Sequence, residues 1–271
     1  MKKILIITSL LIVAIAFTQC KKDEENNIYP ELNGPVGTTG NTFSVSASKK
    51  VYFSQGNLQY NPSSSTWRFA VNQCDTIGVT PDSIPPTYDG WIDLFIYASS
   101  GYDSIFPYLN KLPSNKTDIG KTNISGTSYD WGHYNPISNG GNKAGLWRIL
   151  TKEEMSYLLE RQDANGYYLA GKGSLYREDG SILEGVFIMP DNYVGEHEDH
   201  FNWGEITETE LNKWGGIFLL SAPSYYCLHI GSDRTSIYGS SEYFNTRFGV
   251  VSWQPGWSPK AIVRLVQDCT E

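Results

Sequence analysis

Glu196-His197-Glu198-Asp199-His200 is the densest run of metal-type side chains in the chain. Carboxylates and imidazoles suit several divalent ions. A helical zinc site needs two histidines at i and i+4, and His200 comes one residue too early after His197. The spacing fits no calcium loop either, so a solvated acidic loop is expected and no metal. Gly166–Gly173 nearly spells a phosphate loop. Gly173 stands where Ser or Thr is required, and no helix is signalled after it. No G-x-S-x-G elbow occurs, and nothing selects a pair of acids for glycoside hydrolysis. Neither catalysis nor a cofactor is expected. What the sequence does concentrate is recognition chemistry. Tyr225, Tyr226, His229, Arg234, Tyr238, Tyr243, Asn245, Arg247, Trp253 and Trp257 fall close together near the C-terminus. Tyr and Trp offer large rigid faces with polar tips, and Arg adds directional hydrogen bonds. Tyr226, His229, Arg234, Tyr238, Tyr243, Asn245, Arg247, Trp253 and Trp257 are therefore the candidate ligand face. The alternative is that some of these rings, Tyr226 and Trp253 first, point into the core.

The four cysteines are Cys20, Cys74, Cys227 and Cys269. Cys227 and Cys269 both flank apolar, strand-like runs, which makes them the expected disulfide. Three buried thiols at 74, 227 and 269 are the alternative.

Cys20 has a different setting. Lys2 and Lys3 precede an apolar run from Ile4 to Phe17, then Thr18 and Gln19 lead to the cysteine. A basic start, a short apolar core and a cleavage region make a secretory signal. The run is short for a membrane span, which takes about 20 residues. With its cysteine, the segment resembles a bacterial lipoprotein signal, which implies lipid attachment at Cys20. Lys21-Lys22-Asp23-Glu24-Glu25 is similar to the export signal of Bacteroides-type surface lipoproteins. That implies an outer-membrane location, facing the cell exterior. The expected organisation is a signal peptide over 1–19, a lipid-anchored tether over 20–41 and a single domain over 42–271.

The composition limits the partners. The net charge is −8 with no basic cluster, which argues against nucleic acid, whose phosphates demand Lys and Arg. Aromatics make up 14% of the chain, a share that disordered segments lack.

The elements that would carry these residues are legible in part. Residues 21–41 have no periodic apolar pattern and scattered Gly, Pro and Asn, so order is expected from Phe43. Phe43, Val45 and Ala47 alternate with serines, Val51–Phe53 follow a polar turn, Leu58 and Tyr60 precede Pro62, and Trp67, Phe69 and Val71 alternate again. This predicts a β-meander. Residues 75–145 are rich in Gly, Pro, Ser and Asn but hold Trp91, Phe95, Tyr97, Tyr102, Phe106, Tyr108 and Trp131, which predicts ordered loops packed by rings. Thr151 with Glu154, and Thr207 with Glu210, are capping boxes that start two helices. The second ends at Gly215-Gly216. Short strands are predicted at 217–220, 225–230, 249–253 and 261–266. Strands, two helices and more strands argue for α+β.

Trp147-Arg148-Ile149-Leu150-Thr151-Lys152-Glu153-Glu154-Met155 resembles a segment of the formylglycine-generating (sulfatase-modifying-factor) branch of the C-type lectin fold. Ile262-Val263-Arg264-Leu265-Val266 resembles that branch's closing strand. Val51–Tyr60, Asp130–Asn135 and Asn139–Asn142 are similar to segments of Bacteroides-type surface lipoproteins with this fold. Met155 stands where the family has tryptophan, and Gly239 where a second tryptophan is expected. The resemblance implies a C-type-lectin-like α+β domain with short, mostly antiparallel strands, two helices and long ordered loops, and a ligand face in its C-terminal region. The branch's oxidase chemistry needs paired cysteines, and Cys227 and Cys269 lie in no matching motif. Asp75-Thr76-Ile77, Asp82-Ser83-Ile84 and Asp103-Ser104-Ile105 resemble O-glycosylation motifs of such exported proteins, at Thr76, Ser83 and Ser104. The expected role is noncovalent recognition of a glycan or protein ligand, with membrane contact only through the lipid. A structural subunit of a surface appendage or outer-membrane complex is the alternative.

Overall fold

Strand β1 (Thr38–Ser44) sets in earlier than the boundary expected at 42. The Thr38 hydroxyl is buried and donates to the Pro35 carbonyl at 2.7 Å. Gly40, at φ 79°, lies within the irregular register between Thr38 and Thr42. A left-handed φ suits a residue without Cβ. Residues 38–41 are thus strand, not tether. The computed structural model describes residues 34–78, 84–109, 112–121, 123–194, 202–220, 227–229 and 261–270, with only the backbone of 117, 118, 120, 121, 202, 227–229 and 261.

The predicted meander forms, but not as one sheet. Strand β2 (Lys50–Ser54) pairs antiparallel with β1 on one side and with β11 (Val266–Asp268) on the other. Strands β3 (Leu58–Asn61) and β4 (Thr66–Phe69) pair with each other instead. Gly56 separates the two sheets: a Cβ there would lie 2.3 Å from the Ala70 carbonyl oxygen.

A four-stranded sheet holds much of the middle of the chain, in the order β7-β5-β6-β8. Its strands are β5 (Ala170–Tyr176), β6 (Ile182–Ile188), β7 (Asn202–Thr207) and β8 (Ile217–Leu220). Only β8 is expected from the sequence. Asp179-Gly180, with Gly180 at φ 81°, turns the β5–β6 hairpin. Asp-Gly between two strands is a strong local signal for such a turn. The β5–β7 pair is parallel and the other pairs of this sheet are antiparallel. The last predicted strand divides at Arg264-Leu265 into β10 (Ala261–Val263) and β11, and β10 pairs in parallel with β9 (Cys227–His229). The architecture is α+β, mostly antiparallel, with three α-helices among the described residues.

Helix α1 (Trp131–Tyr134) is a single turn that the sequence did not announce. Helices α2 (Lys152–Glu160) and α3 (Glu208–Trp214) start on the two predicted capping boxes. Each N-cap is worth about 1 kcal/mol. Gly215 closes α3 at φ 68° by donating to the Asn212 and Leu211 carbonyls. Met155, Leu158 and Leu159 of α2 pack on Phe43, Val51, Phe53, Ala170 and Val186. The long loop region is packed by rings as expected. Ile92, Phe95, Tyr97 and Trp131 share a core with Trp67, Phe69 and Trp147. Arg68 lies 3.7 Å over the Trp91 ring.

The segments that carry the resemblance meet at one junction. Asp130 caps α1, and its carboxylate also accepts from the Ile149 N–H at 2.9 Å. Trp147 Nε1 donates to the Gly140 carbonyl at 2.8 Å, and Asn139 bonds both the N–H and the carbonyl of Phe69. Arg148 and Val266 exchange two backbone hydrogen bonds at 2.8 and 2.9 Å. Gly132 sits between Trp147 and Leu265: an added Cβ would be 2.4 Å from Trp147 Cβ and 2.8 Å from its backbone carbon. Gly132→Ala is therefore expected to destabilise the fold by about 1–3 kcal/mol, as overpacking does. An unchanged urea midpoint in that variant would contradict the packing described.

Candidate functional site

The predicted ligand face falls mostly outside the described residues. Tyr226, Arg234, Tyr238, Tyr243, Asn245, Arg247, Trp253 and Trp257 lie there, and only the backbone of His229 is described. The expected lipidation residue Cys20, the acidic run 196–200 and Ser83 also lie outside them. The strands on either side of the segment 230–260 are described. The chain leaves the described fold at His229 and re-enters at Ala261. These residues belong to the paired strands β9 and β10, in which Ala261 faces Cys227 and Val263 faces His229. Parallel strands cannot be joined by a tight hairpin; a connection of a dozen or more residues is required. Residues 230–260, with most of the candidate rings, make this connection.

Arg264 secures the frame directly after β10. It is only 1% exposed. Its Nη1 donates to the Ser54 carbonyl at 3.2 Å and its Nη2 to the Gln73 carbonyl. Gln73 in turn accepts from the Phe218 N–H of β8 at 2.9 Å. The guanidinium thereby ties β10 to the ends of β2 and β8. Burial pulls its pKa down to about 10, against the pull of Cys74, so it stays charged at neutral pH. Among the described residues it has no carboxylate partner. In sequence this segment resembles a closing strand, a likeness that assigns Arg264 no role. A single arginine in an apolar strand was the available signal, since arginine is almost never fully buried without partners.

Beside this clamp lies a cavity of about 10 Å³, room for one water. Asn57, Gln73, Cys74, Phe218, Leu219, Leu220 and Ile262 line it. Burial pushes the Cys74 thiol up to about 12, with Arg264 pulling the other way. A neutral thiol is a poor nucleophile and a poor metal ligand. Cys269 is a free thiol too, raised by burial and hydrogen-bonded to Tyr52. The side chain of Cys227, the other half of the expected Cys227–Cys269 disulfide, lies outside the described residues. Cys269 follows β11 in the β1-β2-β11 sheet, whereas Cys227 belongs to the separate β9–β10 pair.

The remaining charged clusters have structural partners. Arg148 bridges Glu154 and Asp268, both at 2.6 Å, and Lys49 approaches the same two acids. Arg161 pairs with Asp191 at 2.5 Å, and Asp191 also accepts from the Ser44 N–H and hydroxyl. Among the described residues no group of three His, Cys, Asp or Glu side chains could hold a metal. No helix of the described residues is long and apolar enough to cross a membrane. Of the glycosylation candidates, Thr76 and Ser104 are exposed.

A second aromatic cluster, absent from the predicted face, lies on the described surface. Tyr102 meets Tyr129 at 5.1 Å and Tyr134 at 5.6 Å between ring centroids, both edge-on. No family model matches the chain, and no curated protein and no solved structure matches it either.

Proposed function

We propose that this chain is a lipid-anchored surface protein that binds a glycan or protein ligand noncovalently, through a C-type-lectin-like domain. Cys20 carries the lipid, residues following it form the tether, and the domain faces the cell exterior. The rings between Tyr226 and Trp257 form the ligand face. One observation supports this reading above the others: the candidate segment 230–260 departs from and returns to paired strands, with Arg264 clamping the return. A binding loop needs a rigid base, because ordering a loose one at the moment of contact costs affinity. The antiparallel pairing of β11 with β2, which brings the chain's last strand beside one of its first, supports the fold assignment.

The test is a glycan array probed with the full-length chain in detergent, beside a Tyr243→Ala/Trp257→Ala variant. Saturable binding that the variant loses is the expected result. Equal binding by both proteins would remove the C-terminal face from the reading. A blank array, followed by recovery of the chain in a stable complex of its own cell surface, would favour the assembly subunit instead.

A further inference from the structure

We infer that Tyr102, Tyr129 and Tyr134 form a platform for a neutral sugar ring, separate from the C-terminal face. Tyr102 and Tyr134 are 38% and 44% exposed. The three rings meet at right-angle geometry, 87° and 73° between planes, which makes an open corner. Each ring edge braces a neighbour, so a ligand would meet a preformed surface. Preorganisation of this kind lowers the entropic cost of binding.

The backbone beneath is held in an unusual shape to present them. Ala98, Gly101, Asp103 and Ser104 all have positive φ, at 64°, 95°, 53° and 63°. Three of these four carry a Cβ, and such conformations persist only where surrounding structure enforces them; they cluster at binding sites. The enforcement is visible. Ser100 Oγ donates to the Ser128 carbonyl, and Asn135 Nδ2 to the Ser100 carbonyl, both at 2.8 Å. Gly101 N–H donates to the Ile105 carbonyl at 2.9 Å, and Ile105 is fully buried. Gly101 is the residue over which Tyr134 lies, with Tyr134 Cε1 3.9 Å from where a Cβ would be.

The local charge selects the ligand class. Asp103 and Lys116 pair with each other beside Tyr102, leaving the platform without a net field from this pair. An anionic ligand is disfavoured by the chain's net charge of −8. Aromatic faces and phenolic hydroxyls remain. These suit a pyranose, which offers an apolar C–H face and a rim of hydroxyls. The paired carboxylate and ammonium can accept from and donate to that rim.

Binding of the full-length chain, in detergent, to neutral oligosaccharides of glucose, mannose and galactose tests this. Tyr102→Ala and Tyr134→Ala should each weaken binding about tenfold, the loss expected when one aromatic anchor is truncated. Tyr102→Trp should retain binding, because the ring and not the hydroxyl stacks. Thermal melts that match the parent chain would show that the exposed substitutions leave the fold intact. The Tyr243→Ala/Trp257→Ala variant separates the two sites. If it keeps neutral-sugar binding while Tyr102→Ala loses it, the platform stands and the C-terminal face fails as the sugar site. Binding lost only in the C-terminal variant, no binding to neutral sugars, or binding confined to peptides would overturn the platform.

Discussion

Asp130→Ala is expected to lower the unfolding free energy by about 3–5 kcal/mol, the range for losing a buried network of hydrogen bonds. The Asp130 carboxyl is fully buried. Oδ2 accepts from Gly126 and Ile149 N–H, both at 2.9 Å, and Oδ1 from Gly132 N–H at 3.3 Å. These three donors belong to a turn, to α1 and to the segment entering α2. Alanine would strand the Gly132 and Ile149 donors away from water. A fall of less than about 1 kcal/mol, the net worth of one ordinary hydrogen bond, would contradict the role assigned.

The same residue sets a pH dependence. Burial raises the Asp130 pKa to about 7, while the three N–H donors and Arg148 pull it back. A folded pKa above the unfolded value means that the native state holds the proton more tightly. The stabilisation is then complete below about pH 4, the unfolded value, and fades as pH rises through about 7. Urea midpoints should therefore decline between pH 5 and pH 7. Asp130→Asn should remove that slope, and a slope that survives the substitution would assign it to another group.

Arg148→Ala is the second large loss, about 3 kcal/mol, as for a buried ion pair broken on one side. Glu154 would keep Lys49 at 3.0 Å but lose the two-toothed contact at 2.6 and 2.8 Å. Asp268 would lose its tie between β11 and α2. The Glu154 and Asp268 carboxyls are buried in part, which raises their pKa, but Arg148, Thr151 and Lys49 outweigh this and hold both below the usual range. With depressed pKa values, their stabilisation is present above about pH 4 and disappears as pH falls through the folded values. The cost of Arg148→Ala should accordingly be greatest at neutral pH and shrink near pH 3. Equal costs at both pH values would mean that the loss comes from packing of the side chain and not from its charge.

Asp130 and Arg148 stand in two short segments that are locally legible, and their geometry gives the physical reason. Asp130 and Thr151 are caps, Gly132 fits where a Cβ cannot, and Trp147 is a buried ring with one donor to satisfy. The α2 and α3 boundaries at Thr151, Thr207 and Gly215 were legible because a cap is a bargain between residues three or four apart. The β5–β6 hairpin carries a local signal as well, Asp179-Gly180, but its strands are interrupted by Gly171, Gly173 and Gly185, which blur the alternation of a strand. The early start of β1 was hidden because Gly37 and Gly40 look like a linker, whereas Gly37 turns the chain just before the strand and Gly40 sits at the irregular register within it. The Tyr102 platform was hidden for another reason. Sequence marks Tyr102, Phe106 and Trp131 equally as aromatic, and cannot tell which ring is core and which is surface.

Residue order alone determined the helix caps, the polar turns, the ring-filled loops and the α+β class, since each depends on neighbours along the chain. Tertiary structure alone decided that β2 pairs with β11 and not β3, that Arg264 clamps carbonyls of Ser54 and Gln73, and that Cys269 stays a free thiol. Those contacts join positions far apart in sequence. Their partners are selected by packing and by satisfaction of buried polar groups, which no local pattern encodes.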